Sequence, residues 1–439
     1  MSSDSKQRKH SAIVSAWLDD GRIVETIYNQ NEGKTGLATF DGKTTVCSDS
    51  VSDAHKSVLS PVSGHNNLIK HGAVLFAEKP TPFDSIASLV SEIQEYIYRY
   101  VDLSDHFRKI AAYYVLLTWV YDAFNELPYL RLRGDYGSGK TRALYVIGSI
   151  CNKPFFASGA STVSPIFHVL DTFRGTLIFD EADFRFSDEK NELVKIFNNG
   201  NVRGFPVLRT AFTAKKEFDP RAFNVFGPKI VAMRKSFDDP ALESRFLTEE
   251  MGQRSLRSDI PINLPDIQKD EALQLRNKLL MYRFTTLPHI RVNTGLVDVS
   301  LSPRMNQILV PLLSIIDDEA LKADVRRAVR VFDEKLYAER STSIEACVLS
   351  VLVELFQDEP SNISLSAITE AFNAQYSKEF ERQIPVREVG RVLRRKLRLY
   401  TYKSHGIYVL PASEAPKVIE LCRRYGVLDR IEPAQTLDG

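Results

Sequence analysis

Residues 134 to 141 read Gly-Asp-Tyr-Gly-Ser-Gly-Lys-Thr, which meets every fixed position of the phosphate-binding loop G-x-x-x-x-G-K-[ST]. No other stretch constrains the fold as much, because such a loop works only between a strand and the start of a helix. The flanks agree with that requirement. Tyr129-Leu130-Arg131-Leu132-Arg133 is an apolar, strand-like run, and Arg142 to Ile147 is helix-like. Backbone N–H groups of Gly134, Gly137, Ser138 and Gly139 are expected to curl around phosphate oxygens, assisted by the positive end of the helix. Lys140 would then reach the β- and γ-phosphates, and the Thr141 hydroxyl would ligate Mg²⁺.

A second motif points the same way. Thr176-Leu177-Ile178-Phe179-Asp180-Glu181 is an apolar run ending in two carboxylates, the form a buried parallel strand takes where it reaches an active-site edge. Asp180 is expected to hold Mg²⁺ through its water shell, and Glu181 to orient and polarise an attacking water. The pair follows Lys140 by 40 residues, room for a helix, a strand and another helix. ATP with Mg²⁺ is the expected substrate, and the expected fold is α/β.

The chain of 439 residues is long enough for several domains, and its 44% hydrophobic and 26% charged residues suit a globular protein. Its four cysteines, Cys47, Cys151, Cys347 and Cys422, form no C-x-x-C pair. Neither a zinc site nor a disulfide framework is suggested, and reduced thiols in a cytoplasmic protein are the simplest account. The first ten residues are polar, and the longest apolar stretch, Ile110 to Val120, is too short to span a bilayer. No membrane anchor is expected. A net charge of +1 conceals a local excess, since residues 381 to 405 hold eight Lys/Arg against two Asp/Glu. That asymmetry points to one basic face.

Pattern and punctuation divide the chain as follows. Residues 1–80 alternate short β-like runs with Gly, Asn and Asp turns, giving a small β-rich N-terminal domain. Residues 81–128 form a helical linker region whose Tyr and Trp residues recur at packing positions. The nucleotide-binding core occupies 129–259. Within it, two runs around Phe205–Thr213 and Arg221–Phe226 read as a hairpin with Lys215 and Lys216 near its tip, on residues alone either a solvated turn or a contact. Residues 260–340 form a helical lid in which Ser302-Pro303-Arg304 opens a helix, and Pro311 is expected to kink it. Residues 412–439 form a C-terminal helix and tail.

Residues 341–411 read as three helices and a short hairpin, the order of a winged-helix domain. At 100° per residue, Val386, Val389, Val392, Leu393 and Leu397 share one face of the third helix. Arg387, Arg391, Arg394, Arg395 and Arg398 share the other. Clustered arginines of this kind suit phosphate contacts with DNA, though a winged helix can also serve protein contacts.

From about residue 100 to 411 the chain resembles the AAA+ ATPases related to MCM-type helicases, particularly the phage and mobile-element proteins that pair such a core with a winged helix. Gly134-Asp135 is similar to the opening of the MCM loop, and Ala241-Leu242-Glu243-Ser244-Arg245-Phe246 resembles the arginine-finger segment. The resemblance implies that Arg245 reaches the γ-phosphate held by a neighbouring subunit and that Arg304, in a sensor-2 element, contacts phosphate. It implies that the 205–226 hairpin projects into the pore of a ring, with Lys215 and Lys216 on DNA, and that the assembly is a homo-hexamer. The chain departs from MCM in lacking room for a second hairpin between Thr141 and Asp180. It also lacks an Asn at the end of the 229–233 strand, where Arg234 is the nearest polar candidate. The first 80 residues match no known domain. The implied function is an ATP-driven DNA helicase or translocase in replication of a phage or mobile element. An ATP-dependent DNA-binding adaptor for transposition or defence, or a protein-remodelling ATPase, would use the same parts.

Overall fold

In the computed structural model, residues 10–181, 187–210, 219–237, 239–253, 256–341, 343–358, 361–377 and 383–427 are described. The β-like runs at the start of the chain become β1 (His10–Ile13), β2 (Ser15–Trp17), β3 (Ile23–Asn29), β4 (Lys34–Phe40), β5 (Thr45–Ser48), β6 (Val51–Ser52) and β7 (Val58–Pro61). Strands β2 to β5 form an antiparallel meander, and β7 lies between β1 and β6 in a second small sheet. After α1 (Asn67–Lys70) come α2 (Ile86–Tyr100) and α3 (Asp105–Val120). Ser85 and Ser104 cap these two helices by accepting the N–H groups of Ser88 and Phe107, both at 3.1 Å. The apolar stretch seen in the sequence is the C-terminal two thirds of α3, whose residues from Ile110 to Val120 are all buried. Among the described residues no helix is long and apolar enough to cross a membrane.

The core sheet follows. Its parts are β8 (Tyr129–Arg133), α4 (Lys140–Gly148), β9 (Phe155–Ser158), α5 (Val163–Phe173), β10 (Leu177–Asp180), α6 (Ser187–Asn199), the hairpin β11 (Val207–Arg209) and β12 (Arg221–Phe223), β13 (Lys229–Met233), α7 (Pro240–Glu243) and β14 (Phe246–Glu250). The five core strands are parallel in the order β14-β8-β13-β10-β9. The inner strands β10 and β13 are buried on both faces, which explains their apolar runs. From β8 the chain steps to the far edge, returns through β10 and β13, then crosses β8 to β14. The carboxyl ends of β8 and β10 therefore flank that of β13, and a crevice opens there.

Strand β14 was not foreseen; the sequence reading closed the core at β13. Two buried basic side chains also sit in this sheet. Arg131 of β8 makes a bidentate pair with Glu243, at 2.5 and 2.6 Å, and Lys229 of β13 donates to three carbonyls, those of Gly200, Val225 and Gly227, at 2.9–3.2 Å. Burial pushes the Lys229 pKa well below its ordinary value.

Helices α8 (Ile267–Thr286), α9 (Pro303–Leu313) and α10 (Glu319–Ser341) come next. Ser302 caps α9 as expected, but the helix continues through Pro311 to its end two residues later. Contacts divide the chain between Val329 and Arg330, inside α10, giving two units. This differs from the boundaries read at 80 and 340. The β-rich segment belongs to the first unit and shares its core, where Val14, Ile69, Val74 and Phe76 pack with Phe155, Phe173 and Phe179. Residues 73–75 lie antiparallel against the edge strand β9: Val74 bridges Phe155, and Phe156 N–H donates to the Ala73 carbonyl at 3.0 Å. Helix α8 is pinned to the same segment. Phe284 stacks on Phe40 at 5.5 Å, and the Asn277 side chain accepts the Glu78 N–H at 2.8 Å.

A buried ion cluster joins these parts. Glu25 of β3 pairs with Lys153 at 2.8 Å and with Arg283 of α8 at 2.6 Å, and Arg283 pairs with Asp122 at 2.6 Å. Burial alone would raise the Glu25 pKa, but Arg283 and Lys153 outweigh it and hold the carboxyl below its ordinary value.

The second unit contains α11 (Ile344–Asp358), β15 (Ile363–Ser364), α12 (Leu365–Tyr376), α13 (Val386–Arg391), β16 (Tyr402–Ser404), β17 (Ile407–Leu410) and α14 (Ala415–Tyr425). Strand β17 lies between β15 and β16. Helix α13 is shorter than the sequence suggested. Residues Val392–Lys396 continue it as a π-helical turn, with Leu397 N–H donating to the Val392 carbonyl at 2.9 Å.

Candidate functional site

The phosphate-binding loop sits between β8 and α4, as its sequence requires. Gly139 is the N-cap of α4 with φ of +86°, a left-handed conformation that a β-carbon disfavours. Gly134 is small for a different reason. A β-carbon there would lie 2.5 Å from the Met251 carbonyl oxygen, so the loop can approach the end of β14 only without one. Lys140, the first residue of α4, folds back over the loop and donates to the carbonyls of Gly134 and Asp135 at 2.7 and 2.6 Å.

Opposite the loop, β10 ends at Asp180, whose carboxylate accepts the Glu181 N–H at 2.9 Å. Glu181 is exposed and has φ of +55°. The two acids, the residues from Tyr136 to Arg142, and Ala232, Met233 and Arg234 of the β13 end line one cavity of about 360 Å³. Gly137, Ser138, Gly139, Lys140, Thr141, Asp180, Glu181 and Arg234 thus share one space. Gly134 lies beneath the loop, outside that lining. One carboxylate and one hydroxyl make a small ligand set for a metal, and it suits Mg²⁺, which keeps waters and takes phosphate oxygens as further ligands. Among the described residues there is no cluster of three or more His, Cys, Asp or Glu that could hold a metal by itself.

A second cavity, of about 410 Å³, lies on the other side of the same loop and shares Gly137, Ser138, Gly139 and Arg142 with the first. Its walls are mainly apolar, from Tyr100, Met251, Leu256, Ile260, Pro261 and Ile262. The Arg142 guanidinium donates to the carbonyls of Pro261 and Ile262, tying the wall to α4. Sequence reasoning missed this cavity and placed Ile260, Pro261 and Ile262 at the start of the helical lid. The available signal was an apolar run directly after the core.

Arg245 and Arg304 are placed elsewhere. Neither belongs to the lining of the cavity over Lys140. Arg245 is 8% exposed, and its guanidinium donates to the side chains of Asn201 and Asn198, at 2.8 and 2.5 Å, and to the Ala241 carbonyl at 3.1 Å. Burial, and next the charge of nearby Arg304, push its pKa down to about 10. Among the described residues, the buried Nε of Arg304 has no hydrogen-bond partner. Arg304 lies close enough to Arg245 for its charge to act on it.

The stem of the β11–β12 hairpin is present, with Val207 opposite Phe223 and Arg209 opposite Arg221. Its tip, with Lys215 and Lys216, lies outside the described residues. In the second unit, Arg387, Arg391, Arg394, Arg395 and Arg398 are all exposed, while Val389, Val392, Leu393 and Leu397 are buried. Val386, the first residue of α13, departs from the expected apolar face and is 42% exposed.

No family model matches the sequence, and no curated protein matches it. Among solved structures, the C-terminal region of NrS-1 is similar at 11% identity and TM-score 0.35, covering 88% of this chain and 96% of that one. A full-length MCM homolog from Methanopyrus kandleri follows at 12% identity and TM-score 0.36, over 72% and 78% of the two chains. Cdc6p from Pyrobaculum aerophilum gives 12% identity and TM-score 0.24, over 75% and 98%. At these identities and TM-scores the likenesses settle neither family nor activity.

Proposed function

We propose that this chain is an AAA+ ATPase that hydrolyses ATP and couples hydrolysis to movement along DNA, as a helicase or translocase in replication of a phage or mobile element. The observation that supports the hydrolytic part is the convergence of Lys140, Thr141, Asp180 and Glu181 on one cavity at the carboxyl ends of parallel strands. Lys140 exchanges its loop carbonyls for the β- and γ-phosphates of ATP. Thr141 and Asp180 would hold Mg²⁺, which supplies charge neutralisation at the phosphates. Glu181 polarises the water that attacks the γ-phosphate. The apolar second cavity receives the nucleoside end, since a triphosphate seated on the shared loop has its other end on that side.

The remaining parts belong to the assembled form. The chain works as a homo-hexameric ring in which Arg245 and Arg304 face the γ-phosphate of a neighbouring subunit, Arg245 after leaving Asn198 and Asn201. Lys215 and Lys216 grip DNA in the pore, and the second unit is a winged helix that presents its arginines to DNA phosphates. Separating duplex costs about 1.4 kcal/mol per base-pair step, so hydrolysis must drive it.

The test is the rate of ATP hydrolysis with and without single-stranded DNA, over a range of protein concentrations. Stimulation by DNA that rises cooperatively with concentration is expected. Lys140→Ala abolishes hydrolysis, and Glu181→Gln binds ATP without turning it over. A rate indifferent to DNA and strictly proportional to protein would sink the translocation reading and leave an ATPase alone.

A further inference from the structure

Arg245 is caged by groups that satisfy its geometry but not its charge. Its Nε donates to the side-chain oxygen of Asn201 at 2.8 Å, and one Nη donates to that of Asn198 at 2.5 Å and to the Ala241 carbonyl at 3.1 Å. The other Nη meets the Asn198 carbonyl at 3.4 Å. Among the described residues, every hydrogen-bond acceptor on this guanidinium is therefore a neutral oxygen. Arg131 in β8 is also buried, but it has the Glu243 carboxylate on two of its nitrogens. Charge at longer range does not make up the difference for Arg245. Arg304 repels it, and Asp239, which attracts it, is exposed and acts on Arg304 as well.

The two asparagines are themselves fixed. Asn198 lies in the last turn of α6, where the preceding Phe197 carbonyl accepts the Tyr129 hydroxyl at 3.0 Å. Asn201 is 5% exposed, and its carbonyl accepts the Leu127 N–H at 2.9 Å. An arginine rarely stays buried without a counter-charge, and its planar fork matches two phosphate oxygens while gaining their charge. A phosphate brought up to this cage therefore outcompetes the amides. We propose that Asn198 and Asn201 form a latch that keeps Arg245 withdrawn until a neighbouring subunit presents its phosphate, so that they are positioning residues for hydrolysis. This rests on the reading above that Arg245 acts on the neighbour's nucleotide, and it adds what restrains Arg245 beforehand.

Steady-state ATP hydrolysis and arginine labelling of the full chain, at fixed protein concentration, test the latch together. Asn198→Ala/Asn201→Ala should raise kcat roughly 10-fold. The KM for ATP should not change, because Arg245 does not line its own subunit's cavity over Lys140. Asn198→Asp/Asn201→Asp supplies the missing counter-charge and should lower kcat by a similar factor. Adding Arg245→Ala to the alanine pair removes the gain. Phenylglyoxal, which modifies accessible guanidinium groups, should label Arg245 roughly 10-fold faster in the alanine pair than in the wild-type chain, as read by peptide mass. Loss of fold cannot produce a gain in kcat. If the alanine pair keeps its circular dichroism but shows no gain, or if Arg245 labelling is unchanged, the latch is overturned. If the alanine pair misfolds, the aspartate pair decides alone, and a kcat at or above wild type overturns the latch. In each of these cases the reading of Arg245 stands provided that Arg245→Ala alone abolishes hydrolysis. If Arg245→Ala hydrolyses ATP at the wild-type rate, that reading falls and the latch with it.

Discussion

Glu181 keeps a φ of +55°, a conformation that costs a residue with a β-carbon roughly 1–2 kcal/mol. Such strain is kept where a side chain is needed in one place. Glu181→Gly should therefore raise the melting temperature while removing hydrolysis, and a variant that loses stability would refute the idea that the backbone is strained for function. Arg142 carries a different expectation. Arg142→Ala releases the wall of the second cavity, so it should weaken ATP about 10-fold and leave inorganic tripolyphosphate binding unchanged. Equal weakening of both by calorimetry would show that Arg142 supports the loop itself. The loop and the acid pair were legible in the sequence because each is a contiguous motif. Arg142 was not, since the carbonyls it holds lie 119 and 120 residues along the chain. Nor could spacing reveal that Arg245 is sequestered by Asn198 and Asn201.

At the level of elements, the pair between Arg131 and Glu243 connects the loop's own strand to the segment that carries Arg245. Glu243 also accepts the Phe237 N–H at 2.5 Å, and Arg131 donates to the Thr248 hydroxyl at 3.0 Å. Glu243→Ala leaves a buried guanidinium without its counter-charge and should cost about 3–5 kcal/mol, measured by denaturant unfolding. A change below 1 kcal/mol would mean that solvent reaches Arg131. These buried charges also explain what the sequence concealed. Phe246-Leu-Thr-Glu-Glu ends in two acids and reads as surface, yet Glu249 is buried, accepting the Ser104 N–H and hydroxyl at 2.7 and 2.8 Å. The arginine face of α13 was legible from helical spacing, whereas its π turn was not, because a wider winding has no signature in a wheel drawn at 100° per residue.

Across the whole first unit, Glu25, Lys153, Asp122 and Arg283 bring together four distant parts of the chain. Folding lowers the pKa of Glu25 and of Asp122, so the unfolded chain binds more protons than the folded one in acid. Their contribution is complete above the ordinary carboxylate range, about pH 4–5, and is lost as pH falls through the depressed values. Glu25→Gln should flatten that acid limb of the stability profile and lower stability at neutral pH by about 3–5 kcal/mol. An unaltered acid limb would place the titrating groups elsewhere. The sequence read the first 80 residues as short strands and turns, and β1 to β7 lie there, but it could not show their docking, since neither Glu25 nor Val74 differs locally from a surface residue or a small-domain core.

That docking decides how far the protein can be shortened. Residues 73–75 cover the outer edge of β9, and an uncovered edge invites other chains to pair with it. A chain beginning at residue 81 looks from its motifs like a complete ATPase, yet it should self-associate through that bare edge, read as loss of soluble monomer by size-exclusion chromatography. Full solubility of the fragment would refute this. The opening segment thus acts as a built-in chaperone for the sheet, and a protease that cuts after residue 80 would matter less for the peptide it removes than for the aggregate it starts.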